Sequence, residues 1–264
     1  MIFVVLSALV VFELAPLAIL LIVSLKTQGQ IAINPLVPTP PYQFENYVVA
    51  WAQVRRYMLN SMAITVSTLL GNMLLSVVAA YVFARHDFPG KKTIFALILG
   101  LMMIPGVSIL IPRFILVRDL KLLNKLSGVI IPGIFAASGF NIFVLRTFFE
   151  SLPEELFESA RLDGAGHFVL LARITVPLSW PILSSLSILQ ILWTWNDYIW
   201  PLMVLQSDRL RTIAIGLVYF ADSRNPQLGV QMAGSVIAAI PLFILFFIAM
   251  RTFIEGLTTG ALKI

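Results

Sequence analysis

The residue types that most often catalyse reactions or bind metals are scarce in this sequence. Cysteine is absent, which excludes a disulfide framework, a thiolate metal site and a cysteine nucleophile. His86 and His167 are the only histidines, fall in predicted loops and have no neighbouring ligand cluster, so no metal site is predicted. The H-E-x-x-H, G-x-S-x-G and phosphate-loop motifs are also absent. The sequence therefore predicts no enzyme, no catalytic residue and no cofactor bound by this chain.

One segment has side chains that could contact a polar solute. Trp195, Asn196 and Asp197 end an apolar run, and Trp193 and Trp200 lie close by in sequence. Aromatic faces bind sugars, but an aromatic belt at the membrane interface explains the tryptophans equally well. An acid near membrane depth is by default a candidate functional group. Both interpretations of the segment remain open.

The composition determines which kind of element must position these groups. Charged residues make up 12% of the 264 residues and hydrophobic residues 59%, against roughly 25% charged in an ordinary soluble domain. A soluble fold of this length could not cover so much apolar surface. The composition therefore indicates an integral membrane protein and excludes secreted, disordered and fibrous classes. Basic loops beside lipid headgroups explain the net charge of +5 better than nucleic acid does.

Six runs are apolar enough to cross a bilayer as helices, which takes about 20 residues. They are Met1–Leu25, Leu59–Ala84, Thr93–Pro112, Ser127–Leu145, Ile174–Asn196 and Asn225–Met250. Continuous apolar runs favour helices over barrel strands, in which apolar and polar residues alternate. Lys and Arg are divided almost equally between the two sides, so charge does not decide the orientation. The first run is too long for a cleaved signal peptide, and none is expected.

The connection between the fourth and fifth runs predicts a helix of about 12 residues within 151–166. Ser151 and Glu154 have capping-box spacing, and Pro153 falls in the first turn. Gly164 is typical of a helix end. The pattern allows two interpretations: the helix rests on lipid headgroups, or it docks a soluble partner.

A second loop carries a basic pattern. Arg118, Lys121 and Lys125 are spaced by three and four residues, which predicts a basic face on a short external helix. Lipid headgroups, a binding protein and an acidic sugar remain open as its partner.

Several motifs together carry a family resemblance. They are Glu158-Ser159-Ala160 with Asp163-Gly164-Ala165 and Pro177, Ser24-Leu25-Lys26, Phe44-Glu45-Asn46-Tyr47, Trp195-Asn196-Asp197, and Gly256-Leu257-Thr258 with Gly260-Ala261-Leu262-Lys263. The first group resembles the "EAA" loop of permease subunits of binding-protein-dependent ABC importers, in the form of the maltose-transporter-type second permease of the carbohydrate-uptake branch. The resemblance covers nearly the whole chain. Ser159 and the terminal Ile264 depart from the usual residues.

The resemblance implies a fold and its divisions. It implies an all-α integral membrane protein with six transmembrane helices and a cytoplasmic coupling helix between spans 4 and 5, the type I ABC importer permease fold. The implied divisions are a first transmembrane helix at 1–25, an extracytoplasmic loop at 26–58, a permease core at 59–251 with a coupling loop at 146–173, and a cytoplasmic tail at 252–264. Both termini would lie in the cytoplasm of a prokaryotic cell.

The resemblance also implies roles for individual residues. The expected ATPase-docking residues are Glu158, Ser159, Ala160, Asp163 and Gly164. Of these, Glu158 would make polar contacts, Ala160 and Gly164 would permit close packing, and Asp163 would cap or pair at the end of the docking helix. The candidates for the translocation path are Trp195, Asn196 and Asp197.

The implied function is that of a sugar-importer subunit with several partners. These are a homologous second permease, a cytoplasmic ABC ATPase dimer that holds ATP and Mg²⁺, an extracytoplasmic solute-binding protein, a sugar and membrane lipids, with no nucleic acid. Importers of other small solutes, such as a polyamine or glycerol phosphate, remain an alternative. A stand-alone six-helix carrier or channel is a further alternative, although it has no reason to possess a docking loop.

Overall fold

The computed structural model describes residues 2–221 and 227–261, with side chains through 219 and from 227 to 248. Within these residues every regular element is helical. The α-helices are α1 Ile2–Ser24, α2 Gln28–Ile33, α3 Glu45–Arg85, α4 Lys91–Met102, α5 Leu110–Asp119, α6 Ser127–Ala136, α7 Ser138–Glu150, α8 Glu154–Leu162, α9 His167–Val169, α10 Val176–Leu178, α11 Trp180–Asn196, α12 Ile199–Val204, α13 Ile213–Ala221 and α14 Leu228–Ala261. Short 3₁₀ helices cover Gly106–Ile109 and Asp208–Leu210, and a π-helix covers Leu170–Thr175.

Four helical stretches and two bent helix pairs are long and apolar enough to cross a membrane. The four are Ile2–Ser24, Glu45–Arg85, Ser127–Glu150 and Leu228–Ile248. The bent pairs are Lys91–Met102 with Gly106–Asp119, and His167–Leu178 with Trp180–Asn196. Counting each pair as one span gives six within the described residues, which agrees with the six apolar runs of the sequence.

The two bends correspond to proline signals in the sequence. The third span turns by 96° at a break that includes Pro105. A residue that precedes a proline is disfavoured in the α conformation, so helices end there. The fifth span turns by 77° at Ser179, and Pro181 occupies the first turn of the helix that follows. The sequence predicts kinks at prolines in the spans, and bends occur at Pro105 and next to Pro181, although their angles could not be predicted.

The chain divides into two compact units, the first made of Met1–Ser61 and Ser207–Ile244. Polar side chains fix the loops of this unit. The amide of Asn60 donates to the carbonyl oxygens of Arg209 and Arg211 at 2.9 and 3.0 Å. The hydroxyl of Ser61 accepts a bond from the backbone N–H of Ile213 at 2.9 Å.

The second unit is made of Met62–Gln206 and Leu245–Ile264. Its helices α3, α6 and α7 are joined by buried amides. Asn141 donates to the side-chain oxygen of Asn72 at 2.6 Å, and Asn72 donates to the carbonyl oxygen of Ile134 at the same distance. Each amide thus satisfies a group that would otherwise be unpaired inside an apolar bundle.

The structure differs from the sequence predictions at the second span and at the basic loop, and it leaves the predicted tail untested. The helix of the second span begins at Glu45 rather than near Leu59. The basic face of Arg118, Lys121 and Lys125 does not form, because α5 ends at Asp119 and Lys121 has a left-handed backbone with φ of 56°. The side chains of the predicted tail at 252–264 lie outside the described residues.

Candidate functional site

The helix α8 is anchored to the rest of its unit by one aromatic side chain. Phe157 is fully buried and belongs to a core cluster with residues of α3, α7 and α11, including Tyr81, Leu145 and Leu183. Leu152 and Ala160 pack against the same cluster. Phe157 is therefore the main buried residue of α8. Leu156, which shares the spacing of Leu152 and Ala160, is 42% exposed.

Arg85, at the end of α3, binds α8 from a second direction. Its guanidinium forms an ion pair with Glu154 and donates to the carbonyl oxygens of Phe149 and Leu152 at 2.7 and 2.9 Å. The same group lies over the ring of Phe157, 3.9 Å from the centroid. Because the Arg85 side chain is itself buried, these bonds connect α3, α7 and α8 in one network.

The ends of α8 explain why the helix is short. The predicted capping box is wrong: Pro153 occupies the N-cap without a side-chain bond, and the Ser151 hydroxyl donates to the carbonyl oxygen of Phe148 instead. The C-terminal prediction is confirmed. Gly164 has φ of +85°, and the N–H groups of Gly164 and Ala165 donate to the carbonyl oxygens of Arg161 and Ala160, as in a Schellman motif. The helix has nine residues instead of about 12.

Four of the five predicted docking residues lie on the exposed surface of this segment. Glu158, Ser159, Asp163 and Gly164 are exposed, and Ala160 is half-buried against the core. Leu162 is 90% exposed beside them. An exposed leucine among polar residues is typical of a surface that another protein covers. The ATPase-docking role of the five residues stays a prediction.

The two histidines, which the sequence suggested to be isolated, lie side by side. His86 Nε2 and His167 Nδ1 are 3.2 Å apart, although 81 residues separate them in the chain. Burial lowers the pKa of His86, and so do the nearby His167, Arg161 and Lys91. Within the described residues no group of three or more metal-ligating side chains occurs. The pair connects the loop after α3 to the start of α9.

A cavity of about 410 Å³ lies within the second unit. Its lining includes Arg113, Gln190, Trp193, Asp197 and Trp200. The guanidinium of Arg113 lies 3.9 Å from the centroid of the Trp200 ring, and the backbone N–H of Trp200 donates to the Asp197 carboxylate at 3.4 Å. The cavity thus combines aromatic faces with hydrogen-bond donors and acceptors.

Only one residue of the predicted path segment lines this cavity. Asp197 does so, whereas Trp195 is buried elsewhere and the exposed Asn196 donates to the carbonyl oxygen of Leu192 at 2.8 Å. Helical periodicity explains the difference, because Gln190, Trp193, Thr194 and Asp197 follow at intervals of three and four and share one side of α11. The path role of Trp195, Asn196 and Asp197 stays a prediction.

Within the described residues the fold is all-helical, with up to six candidate membrane spans, which defines a multi-span membrane protein. Residues 72–258 match the family described as the binding-protein-dependent transport system inner membrane component. The chain therefore belongs to this family of multi-pass inner-membrane permeases, and the family and fold predictions are confirmed.

Relatives from Bacillus subtilis are similar to this chain over most of its length. The arabinooligosaccharides transport system permease protein AraQ of Bacillus subtilis is 33% identical over 99% of this chain and 93% of its own. The probable ABC transporter permease protein YurM of the same species is 37% identical over 83% of this chain and 73% of its own. The melibiose/raffinose/stachyose import permease protein MelC, also of Bacillus subtilis, is 31% identical over 94% and 91%.

A solved structure has the same fold. It is the crystal structure of a bacterial ABC transporter involved in the import of the acidic polysaccharide alginate. One of its chains superposes with a TM-score of 0.83 at 23% identity, over 95% of this chain and 94% of that chain.

Proposed function

We propose that the chain is the permease subunit of an ATP-driven sugar importer that docks its ATPase through α8. A homologous permease would complete the translocation path, and an external solute-binding protein would deliver the sugar. ATP and Mg²⁺ would be bound by a cytoplasmic ATPase dimer and not by this chain. The loop that contains α8 and both termini would lie in the cytoplasm.

The observation that carries the proposal is the attachment of α8. The helix has an exposed face around Glu158, Ser159 and Leu162, while Phe157 and the Arg85 network hold its other side. A partner that moves the exposed face therefore also moves α3, α7 and α11, since packed cores transmit displacement. This is what a coupling element between an ATPase and membrane spans requires.

The proposed cycle is alternating access. Closure of the ATPase dimer on ATP would displace α8 and turn the permease pair from inward-facing to outward-facing, and hydrolysis would return it. Such a shift needs contacts that differ between the two states. The bent fifth span begins at His167, with four residues between it and the end of α8, and gives the displacement a short route. Its first half contains the π-helix, a feature that often occurs at functional sites.

The sugar class is supported by the relatives and by the cavity. The printed names of AraQ and MelC refer to arabinooligosaccharides and to melibiose, raffinose and stachyose. A cavity with tryptophan faces and both donors and acceptors suits a ligand that has an apolar ring face and many hydroxyl groups.

A cross-linking experiment tests the docking proposal. This chain has no native cysteine, so an introduced cysteine is its only thiol. Ser159→Cys on α8 is compared with Thr39→Cys, an exposed residue in the predicted extracytoplasmic loop. In membranes that contain the whole importer, a short cross-linker with a maleimide at one end and a photoreactive group at the other should join Ser159→Cys to the ATPase on illumination and should leave Thr39→Cys unlinked to it.

The same two variants test the orientation. A membrane-impermeant maleimide should label Ser159→Cys only in inside-out vesicles and Thr39→Cys only in right-side-out vesicles. Labelling of Ser159→Cys from outside, or transport at the normal rate with no cross-link to the ATPase, would contradict the proposal.

A further inference from the structure

The first span, α1, carries a carboxylate that no other described residue pairs with. Glu13 is the only charged residue of Ile2–Ser24, and among the described residues it has no hydrogen-bond or ion-pair partner. Its side chain is exposed, and none of the apolar window of α1 is buried within the chain. An ionisable group that faces lipid is costly, so such groups usually mark a contact or a functional site.

Glu13 lies too deep in the membrane to reach water with its own side chain. Ser24 ends α1, and at 1.5 Å per residue Glu13 precedes it by about 16 Å. The hydrocarbon core is about 30 Å thick, so a helix that ends at its edge holds Glu13 near its middle. Long lysine and arginine side chains snorkel to the interface, but a glutamate side chain is shorter. The carboxylate therefore needs a partner inside the membrane.

Pro16 creates a second hydrogen-bond acceptor at the same depth. Proline has no N–H, so the carbonyl oxygen of Phe12 lacks the bond that residue 16 donates in a regular helix. In transmembrane bundles, neighbouring helices satisfy carbonyl groups that a proline leaves unpaired. Phe12 directly precedes Glu13, so the two acceptors are adjacent. A guanidinium or an ammonium group suits them, because it carries several N–H donors and a positive charge.

A second copy of this chain does not supply such a donor. The five apolar runs that follow α1 contain no lysine, arginine or histidine. The amide groups of Asn72 and Asn141, buried among α3, α6 and α7, already donate to groups of their own chain. Contact between two copies of α1 through Glu13 would bring two carboxylates together, and like charges repel. The donor must therefore come from a different membrane protein.

We propose that α1 packs against a helix of the second permease and that Glu13 pairs there with a basic side chain at mid-membrane depth. The contact surface is the side of α1 that Glu13 shares with Leu6, Leu9 and Leu17, which lie four or seven residues from it. Such a pair favours two unlike permeases over two identical chains. The inference rests on the proposed function, because that function requires the second permease.

Photo-cross-linking maps the contact while Glu13 stays in place. In the complete importer, single cysteines at Leu9 and Leu17 carry a maleimide benzophenone, and the chain without cysteine gives the background. Val11→Cys and Ala18→Cys on the opposite side of α1 are matched controls, because all four positions are exposed in this chain. Illumination should join Leu9→Cys and Leu17→Cys to the second permease in much higher yield than the controls. Equal yields on both sides, or links between two copies of this chain, would overturn the proposal.

Substitution of Glu13 tests the ion pair itself. A tag on this chain recovers the importer in mild detergent, and quantitative mass spectrometry measures the second permease per copy of this chain. Glu13→Leu should lower this ratio about tenfold, and Glu13→Lys at least as much, since an interhelical polar contact is lost. Glu45→Leu is the matched control. It removes an exposed carboxylate outside the apolar runs and should leave the ratio unchanged.

A charge exchange separates an ion pair from a merely structural role of Glu13. Mass spectrometry of the cross-linked peptides identifies the contacting helix, and its basic residue is replaced by glutamate in an importer that carries Glu13→Lys. Recovery of the second permease should then return close to the unsubstituted ratio. No gain over Glu13→Lys alone, or a contacting helix without a basic residue, would overturn the ion pair.

The outcomes also distinguish this contact from the proposed function. An unchanged ratio in Glu13→Leu, in an importer that keeps its ATPase and transports, would overturn the contact and leave the function intact. An unsubstituted chain that recovers neither a second permease nor an ATPase from its native membranes would overturn both. Loss in Glu13→Leu but not in Glu45→Leu, with rescue by the charge exchange, would support both.

Discussion

The attachment of α8 and the cavity differ in how their polar side chains connect neighbouring helices, although both lie in the second unit and both contain some unpaired buried atoms, Arg85 Nε among them. Around α8, Arg85 satisfies a carboxylate and two carbonyl oxygens of its own chain. In the cavity, the oxygens of Gln190 and Thr68 have no partner within the described residues. Hydrogen bonds that link several helices make a segment rigid and able to transmit displacement, whereas unpaired buried groups reduce stability.

The largest effect should come from removing the aromatic anchor of α8. Phe157→Ala leaves a hole in a fully buried cluster and should lower the free energy of unfolding by about 3–5 kcal/mol. We expect transport and its coupling to ATP hydrolysis to fall together. SDS-titrated unfolding in mixed micelles measures the stability. Leu156→Ala, at an exposed neighbouring position, is the control and should cost less than about 1 kcal/mol.

The second largest loss of stability should come from removing the hydrogen bonds and the ion pair of Arg85. Arg85→Met keeps much of the side-chain volume but leaves the carbonyl oxygens of Phe149 and Leu152 unpaired, which should cost about 2–3 kcal/mol. Arg146→Met is the matched control, because Arg146 forms a more exposed pair with Glu150 at 2.8 Å and should lose less than about 1 kcal/mol. Equal losses in the two variants, measured by the same unfolding titration, would contradict the importance of the network.

Replacing a buried polar residue of the cavity by an apolar one should change the free energy of unfolding less than Arg85→Met does. Gln190→Leu removes an unpaired acceptor and one hydrogen bond to Thr194 at 3.2 Å, so stability should change by no more than about 1 kcal/mol in either direction. This result would sharpen the contrast with Arg85→Met. A loss as large as that of Arg85→Met would show that Gln190 has a structural role instead.

The smallest effect should be the pH response of the histidine pair. The pKa of His86 is lowered in the folded chain, so the unfolded chain binds a proton more readily. The stability that neutral His86 contributes is complete above pH of about 6.5 and is lost as the pH falls through its lowered folded pKa. The facing groups His167, Arg161 and Lys91 all oppose protonation of His86. The protection factors of the His167–Leu178 amides, which correct the exchange rate for its intrinsic pH dependence, should therefore fall at acidic pH, and His86→Asn should remove most of this fall.

The sequence by itself determined the class of element, the number of spans and the position of α8. Apolar runs of about 20 residues have few alternatives to a membrane helix, and Gly164 ends α8 through its local conformation. Proline positions marked the bends without giving their angles. These signals are local, which is why they can be read without knowledge of the rest of the fold.

Only the tertiary structure decided which residues meet. Arg85 reaches a carbonyl oxygen 64 residues away, and His86 meets His167 across 81 residues. The rotation of α8 buries Phe157 rather than Leu156, and the rotation of α11 turns Gln190 and Asp197 rather than Trp195 toward the cavity. In α8, Leu156 and Phe157 are adjacent apolar residues, so spacing alone does not decide which of them is buried. In α11, composition cannot fix the rotation, because an almost uniformly apolar helix has no polar face to set it. The packing of neighbouring helices sets it instead.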